Sequence, residues 1–242
     1  MTIEKLYDHI AGTYNQKASA DVLLEANNKA FSFIQASAPH LDSILALGIG
    51  DGVCLLPYQD SYPHAKLYGL DISENMLHKA SALLDCVTFH GNIAETSSLI
   101  KKTDFSLILA HFVSAYVPIP ITLKECKAIL AEEGLMSVVT NTLSSFPKMR
   151  KIFDNLGVSS NPFNRLVSRH IKQALKTVYV PKDLKHLESL FNTNGFTAQK
   201  LTSVEINISL PTEQDVFDFF IEGGWFVSGL AHPLLPKSIL HK

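Results

Sequence analysis

A short apolar run, Ile44-Leu45-Ala46-Leu47, opens into Gly48-Ile49-Gly50-Asp51-Gly52, three glycines at alternate positions. Nineteen residues beyond Gly52 a second apolar run ends in an acid, in Tyr68-Gly69-Leu70-Asp71-Ile72-Ser73. This is the pattern of a strand, a tight turn, a helix and a second strand that together build a nucleoside site. The glycines let a ligand approach the backbone, because no Cβ stands in the way. An acid at the end of the second strand is placed to accept hydrogen bonds from two ribose hydroxyls. The bland alternative is a plain strand-to-helix turn with Asp71 as a neighbour of a helix cap.

The third glycine bears on which nucleoside. Dinucleotide sites use Gly-x-Gly-x-x-Gly, with a helix N-terminus facing a pyrophosphate. Here the spacing is Gly-x-Gly-x-Gly, and Asp51 would set a negative charge where a pyrophosphate should lie. That disfavours a dinucleotide oxidoreductase and suits a ligand without phosphate, such as S-adenosylmethionine. On these residues, and on an ordered series of motifs over roughly residues 1–210, the chain resembles the class I S-adenosylmethionine-dependent methyltransferases.

The resemblance implies a Rossmann-like fold: a three-layer, doubly wound, mostly parallel α/β sheet with N-terminal helices and an inserted helical lid. The expected organisation is one methyltransferase domain over 1–242. Within it, 1–35 is a helical cap, 36–143 the cofactor-binding core, 144–180 the lid and 181–242 the C-terminal part of the core. Apolar periodicity supports helix over 4–35, through Val22, Leu23, Ala26, Ala30, Phe31 and Ile34. Strands are expected at Leu41–Leu47, Ala65–Leu70, Cys86–His90, Phe105–Ala110 and Leu135–Thr140. A sixth is expected at Thr197–Leu210. Helices are expected at Gly52–Gln59, Ser73–Leu84, Leu123–Ala131, Pro181–Asn192 and Pro211–Val227, with a turn at Glu133-Gly134 and another at His232–Pro236. The family's seventh, antiparallel strand has no room after that turn. Either the sixth strand folds back on itself as a bent hairpin, with a break near Val204–Ile206, or the last strand is absent and leaves an edge for a partner subunit to cover; the second is the expectation.

The resemblance also assigns the site. Gly48, Ile49 and Gly50 lie against the methionine part of the cofactor, and Asp71 holds the ribose. Ile72 and Met76 flank the adenine, with Met76 serving equally well as core filling. Asn92 and Ile93 fall where the family carries an acid that binds the adenine amino group; Asn92 keeps an acceptor oxygen without the charge. Ala110 and His111 pass beneath the sulfonium. Tyr14, in Tyr7-Asp8-x-x-Ala11-x-x-Tyr14, is a ring that closes near the methyl group, or else a helix-packing residue. His111 and Tyr14 are the candidate catalytic residues, although a lone His at a strand end is more often structural. The chain departs from the family pattern at three positions: Ala46 stands in place of an acid, Ser106 in place of an Asp, and Ala115 in place of a common His. Asp51 is a candidate substitute for the missing acid.

Composition narrows the remaining classes. A net charge of −2 with no basic block gives no reason to expect nucleic acid. No apolar run approaches bilayer length, and the polar N-terminal segment does not read as a signal peptide. Cys54, Cys86 and Cys126 show neither metal spacing nor a disulfide pattern, so no metal is expected and a reducing cytoplasm is. The sequence therefore points to a cytoplasmic methyltransferase, monomer or homodimer, acting on a small-molecule or carrier-bound acceptor. Arg150, Arg165 and Arg169 in the lid are candidates for an acceptor carboxylate or phosphate. Tyr14-Asn15-Gln16 and Pro211-Thr212-Glu213 are similar to segments of the malonyl-carrier-protein methyltransferases of biotin synthesis, which adds a carrier-bound acyl group as one acceptor class. The rival from another class is a catalytically inactive S-adenosylmethionine-binding regulatory or partner-binding protein, favoured by Ala46 and Ser106.

Overall fold

Four parallel ladders build the sheet. A computed structural model describes residues 2–14, 17–176 and 178–225. Its five strands are β1 (Ser43–Leu47), β2 (Lys66–Asp71), β3 (Cys86–His90), β4 (Phe105–His111) and β5 (Leu130–Val139), in the order β3-β2-β1-β4-β5. The helices between them are α1 (Ile3–Ile10), α2 (Lys17–Ser37), α3 (Leu56–Ser61), α4 (Glu74–Leu83), α5 (Thr96–Leu99) and α6 (Ile119–Lys127). Then follow α7 (Pro147–Gly157), α8 (Pro162–Leu175), α9 (Leu184–Thr193) and α10 (Glu213–Phe217), the last running into a π-helical turn, Asp218–Glu222.

Strand periodicity divides the core into two layers. Ile44, Ala46, Leu107 and Leu109 face a cluster that includes Ile34, Leu55, Tyr58 and Leu77. Leu45, Leu47, Ile108 and Ala110 face Leu70, Ile100, Phe105 and Cys126 on the other side. All five residues of β1 are buried, which explains a continuous apolar run instead of an alternating one. Each fully buried Leu or Ile here contributes about 1.5–3 kcal/mol. The order reverses between β1 and β4, and the carboxyl ends there form the crevice that α/β sheets offer to ligands.

Several boundaries differ from the expectation. The N-terminal helical stretch is two helices, interrupted after Ile10 near Gly12. The first helix after the glycines begins as a 3₁₀ turn, Val53–Leu55. Helix α6 starts at Ile119, earlier than expected, because Pro118 fixes the N-cap. Glu133-Gly134 is no turn. It lies inside β5, at the register irregularity opposite Phe105 and Leu107. A Cβ on Gly134 would stand 2.7 Å from the Phe105 carbonyl, so only glycine lets the strands close there.

The expected sixth strand is absent: 200–211 is irregular, and the sheet of the described residues ends at β5. Its Val204/Ile206/Ile208/Leu210 alternation found no ladder. The chain instead crosses the sheet edge, with Leu201 packed against α6 and α9 and the Lys200 ammonium 5.2 Å from the Phe33 ring on α2. The expected C-terminal helix is the short α10 with its π turn. Residues 226–242, including the expected turn at His232–Pro236, lie outside the described residues.

Candidate functional site

The glycine loop is built from backbone that other residues avoid. Gly48, Gly50 and Gly52 all have positive φ, of 65°, 57° and 89°. The Leu70 carbonyl accepts from both Gly48 N (2.7 Å) and Ile49 N (3.1 Å), which folds the loop onto the end of β2. There Asp71 receives Gly50 N on Oδ2 and Ser73 N on Oδ1, each at 2.9 Å. Burial pushes the Asp71 carboxyl up; the backbone donors of Ser73, Gly50 and Ile72 oppose this by stabilising the charge. These three donors use three of the carboxylate's four lone-pair sites, so the acid can still accept one further hydrogen bond.

Ser73 joins this acid to the N-terminal segment. Its hydroxyl caps α4 by accepting from Met76 N at 3.2 Å and donates to Asp8 Oδ1 at 2.6 Å. Asn75 Nδ2 donates to the Asp8 carbonyl at 3.1 Å. Helix α1 is thereby fixed over the crevice. The Asp8 link was not read from the sequence; its signal was the Tyr7-Asp8 pair that preceded Tyr14.

Three tyrosines converge above the loop. Tyr14 Cε1 lies 3.5 Å from where a Gly50 Cβ would be. Tyr7 stands edge-on to Tyr14 and Tyr116, with centroids 6.0 and 5.7 Å apart, and the Tyr7 and Tyr116 hydroxyls meet at 2.7 Å. Burial raises all three phenols, Tyr116 to about 12, so they are neutral π-faces and not bases. Tyr116 escaped sequence reasoning because it lies in a loop without periodicity.

His111 lines a cavity together with Tyr14, but its ring nitrogens are bound elsewhere. Its Nδ1 lies 2.8 Å from Asn27 Oδ1 and its Nε2 2.9 Å from Ser137 Oγ, so the ring joins α2 to β5. Burial lowers its pKa to about 4, which keeps it neutral. Both ring nitrogens are engaged, which is the geometry of a structural histidine. A small cavity of about 50 Å³ lies beside it, lined by Ala46, Gly48, Ile49, Asp51, Leu109 and α2 residues. Asp51 shares this space with Ala46, the position of the missing family acid.

The remaining candidates are mixed. Asn92 caps a 3₁₀ turn, its Oδ1 accepting from Ala94 N at 2.9 Å, so one acceptor lone pair is engaged. Met76 is 1% exposed and sits in the packed interior, as does Ala110 at 2%. Ile72 and Ile93 flank the ends of β2 and β3. Of the lid arginines, Arg165 and Arg169 line one concavity, whereas Arg150 Nε donates to the Ser145 carbonyl of its own loop. Ser106, where the family pattern has an Asp, is fully hydrogen-bonded. Its hydroxyl accepts from Asp42 N and Ser43 N and donates to the Ser43 carbonyl, each at 2.9 Å, tying β4 to β1.

Among the described residues no His/Cys/Asp/Glu group fits a metal ion, and no helix is long and apolar enough to cross a membrane. The buried carboxylate at the end of β2 and the glycine cradle fit an adenosyl ligand. Residues 44–134 match the family model described as a methyltransferase domain. The chain is 27% identical over 161 residues to an uncharacterised protein of Rickettsia prowazekii (strain Madrid E), covering 62% of this chain and 29% of that protein's length. Its fold is similar to the Haloferax volcanii complex of the Trm112 methyltransferase activator with a methyltransferase (16% identity, 95% and 93% of the two chains, TM-score 0.59). It is also similar to an O-methyltransferase of Nostoc punctiforme (16% identity, 73% and 51%, TM-score 0.51). A third similar structure is the magnesium protoporphyrin IX methyltransferase of Synechocystis with bound S-adenosylhomocysteine (15% identity, 72% and 73%, TM-score 0.50). The glycine loop and Asp71 thus lie at the switch point of the sheet, inside the segment 44–134 that matches a methyltransferase domain, in a fold similar to those solved structures.

Proposed function

We propose that the chain transfers a methyl group from S-adenosylmethionine to a small-molecule or carrier-bound acceptor in the cytoplasm. The observation that carries this is the Gly50–Asp71 bond: one buried carboxylate orders the glycine loop and remains free to accept from a ribose. The cofactor, when bound, supplies an activated methyl on a sulfonium. The residues of this chain bind, orient and exclude water. Gly48, Ile49 and Gly50 would receive the methionine part; Asp71 the ribose; Ile72, Met76, Asn92 and Ile93 the adenine side; Ala110 and His111 the floor. The Tyr7/Tyr14/Tyr116 faces would meet the positive end of the donor through cation–π attraction.

Transfer of this kind needs mainly alignment. His111, with both nitrogens engaged, positions β5 against α2, which suits an acceptor that presents its own lone pair, such as a carboxylate. Incubation with S-adenosylmethionine and a panel of free and carrier-bound carboxylates tests the proposal. It expects S-adenosylhomocysteine and methylated acceptor in equal amounts. Tight cofactor binding with no turnover of any acceptor would favour the inactive, cofactor-sensing reading that Ala46 supports.

A further inference from the structure

The lid carries a charge distribution unlike the rest of the chain. Residues 147–176 hold seven Lys and Arg but one acid, Asp154, in a protein whose net charge is −2. The clustering works against the helix. Arg165 and Arg169, and Lys172 and Lys176, are like-charged pairs four apart, and Arg169 and Lys172 are three apart, all of which repel on a helix surface. These four cations, three on α8 and Lys176 just past its end, nevertheless line one open concavity of about 490 Å³ with Gly157, Ser168 and Gln173. Its size is that of a small-molecule site. The lining side chains are all hydrogen-bond donors.

The one nearby acid does not neutralise it. Asp154 Oδ1 meets Lys172 Nζ at 2.7 Å. One nitrogen of Arg165 is held by the Ser159 and Ser160 carbonyls, which fixes the guanidinium at the rim. Arg169 and Lys176 complete the surface. A monovalent carboxylate leaves such a set largely uncompensated. A phosphate ester brings about −1.5 to −2 charges and three acceptor oxygens, matching arginine forks. The hairpin also starts at the methyl-transfer end of the molecule. Phe146, the residue before α7, packs its ring 5.9 Å from Trp225, which packs 5.3 Å from Phe112, next to His111.

We infer that the α7–α8 concavity, formed by Arg165, Arg169, Lys172 and Lys176, is a binding site for the phosphate group of a soluble phosphate ester. It holds the acceptor by that group while the reactive end reaches the tyrosine cluster; this second part rests on the methyltransferase reading. Inorganic pyrophosphate is the probe, followed by calorimetry and thermal unfolding on the whole chain. The wild type should bind with one-to-one stoichiometry and gain melting temperature with pyrophosphate. Arg169→Gln/Lys176→Gln should bind about tenfold more weakly or worse, lose the pyrophosphate-dependent gain, and keep its own fold and its S-adenosylhomocysteine affinity. Equal affinity in the variant, no saturation of the wild type at millimolar pyrophosphate, or binding confined to phosphatidylglycerol vesicles would each overturn the inference. Failure of S-adenosylhomocysteine to bind the wild type would instead overturn the methyltransferase reading and leave the anion site standing.

Discussion

His111 should make the stability of this protein depend on pH, and replacing it should remove that dependence. Burial lowers its folded pKa to about 4, against an ordinary value near 6.5 in the unfolded chain. The neutral ring is therefore the one the fold selects, between Asn27 and Ser137. Its stabilising contribution is complete above pH ~6.5 and is lost as pH falls toward ~4. Linkage over that interval gives a ceiling of about 3 kcal/mol, of which about 2 kcal/mol is already lost at pH ~5. The ring keeps some solvent contact, so a loss of about 1–2 kcal/mol by pH ~5 is expected. Urea unfolding of the wild type and His111→Gln at pH ~7.5, ~6 and ~5 reads it directly. The variant should be less stable at neutral pH, and the gap should close on acidification. Parallel curves with a constant gap would show that the ring is not held neutral and would refute the argument.

Three further substitutions probe the scaffold. Ser73→Ala removes the α4 cap and the donor to Asp8 together, so stability should fall by about 1–2 kcal/mol, with protease access to α1 rising; no change by urea unfolding would dismiss the Asp8–Ser73 link. Gly134→Ala places a Cβ 2.7 Å from the Phe105 carbonyl and 2.8 Å from Leu130 Cγ, and should lower stability by about 1–3 kcal/mol; a neutral result would mean that the β5 irregularity relaxes freely. Gly50→Ala forces a side chain into φ 57° at a cost of about 1–2 kcal/mol and strains the backbone whose N–H reaches Asp71, so S-adenosylhomocysteine affinity should fall along with the melting temperature.

The cofactor half of the fold was legible because its signals are local. The glycine turn, the acid at the end of β2, the Ser73 cap and the short strand Cys86–His90 each follow from a few contiguous residues, and the structure places them where the pattern put them. The C-terminal third was not legible for the opposite reason. Val204, Ile206, Ile208 and Leu210 alternate like a strand, yet a ladder needs a partner edge, and sequence alternation cannot show whether one is available. Tertiary contacts also redefined single residues. His111 looked like a candidate catalyst at a strand end, but Asn27 and Ser137, far away in sequence, occupy both its nitrogens. Ser106 looked like a lost acid, yet its hydroxyl bridges Asp42 and Ser43. The aromatic set of Phe112, Phe146, Phe219 and Trp225 is assembled from three separate segments and has no sequence signature.

The central claim is that Asp71 at the end of β2, ordered by Gly50 and Ser73, holds the ribose of an adenosyl cofactor. Calorimetry of S-adenosylhomocysteine against the wild type and Asp71→Ala, with NAD as a parallel ligand, tests it most directly. The account predicts one-site binding of S-adenosylhomocysteine, no binding of NAD, and a loss of about 2–4 kcal/mol in the variant, which is roughly 30- to 900-fold in Kd. An unchanged Kd in a folded Asp71→Ala protein, or a preference for NAD, would contradict it.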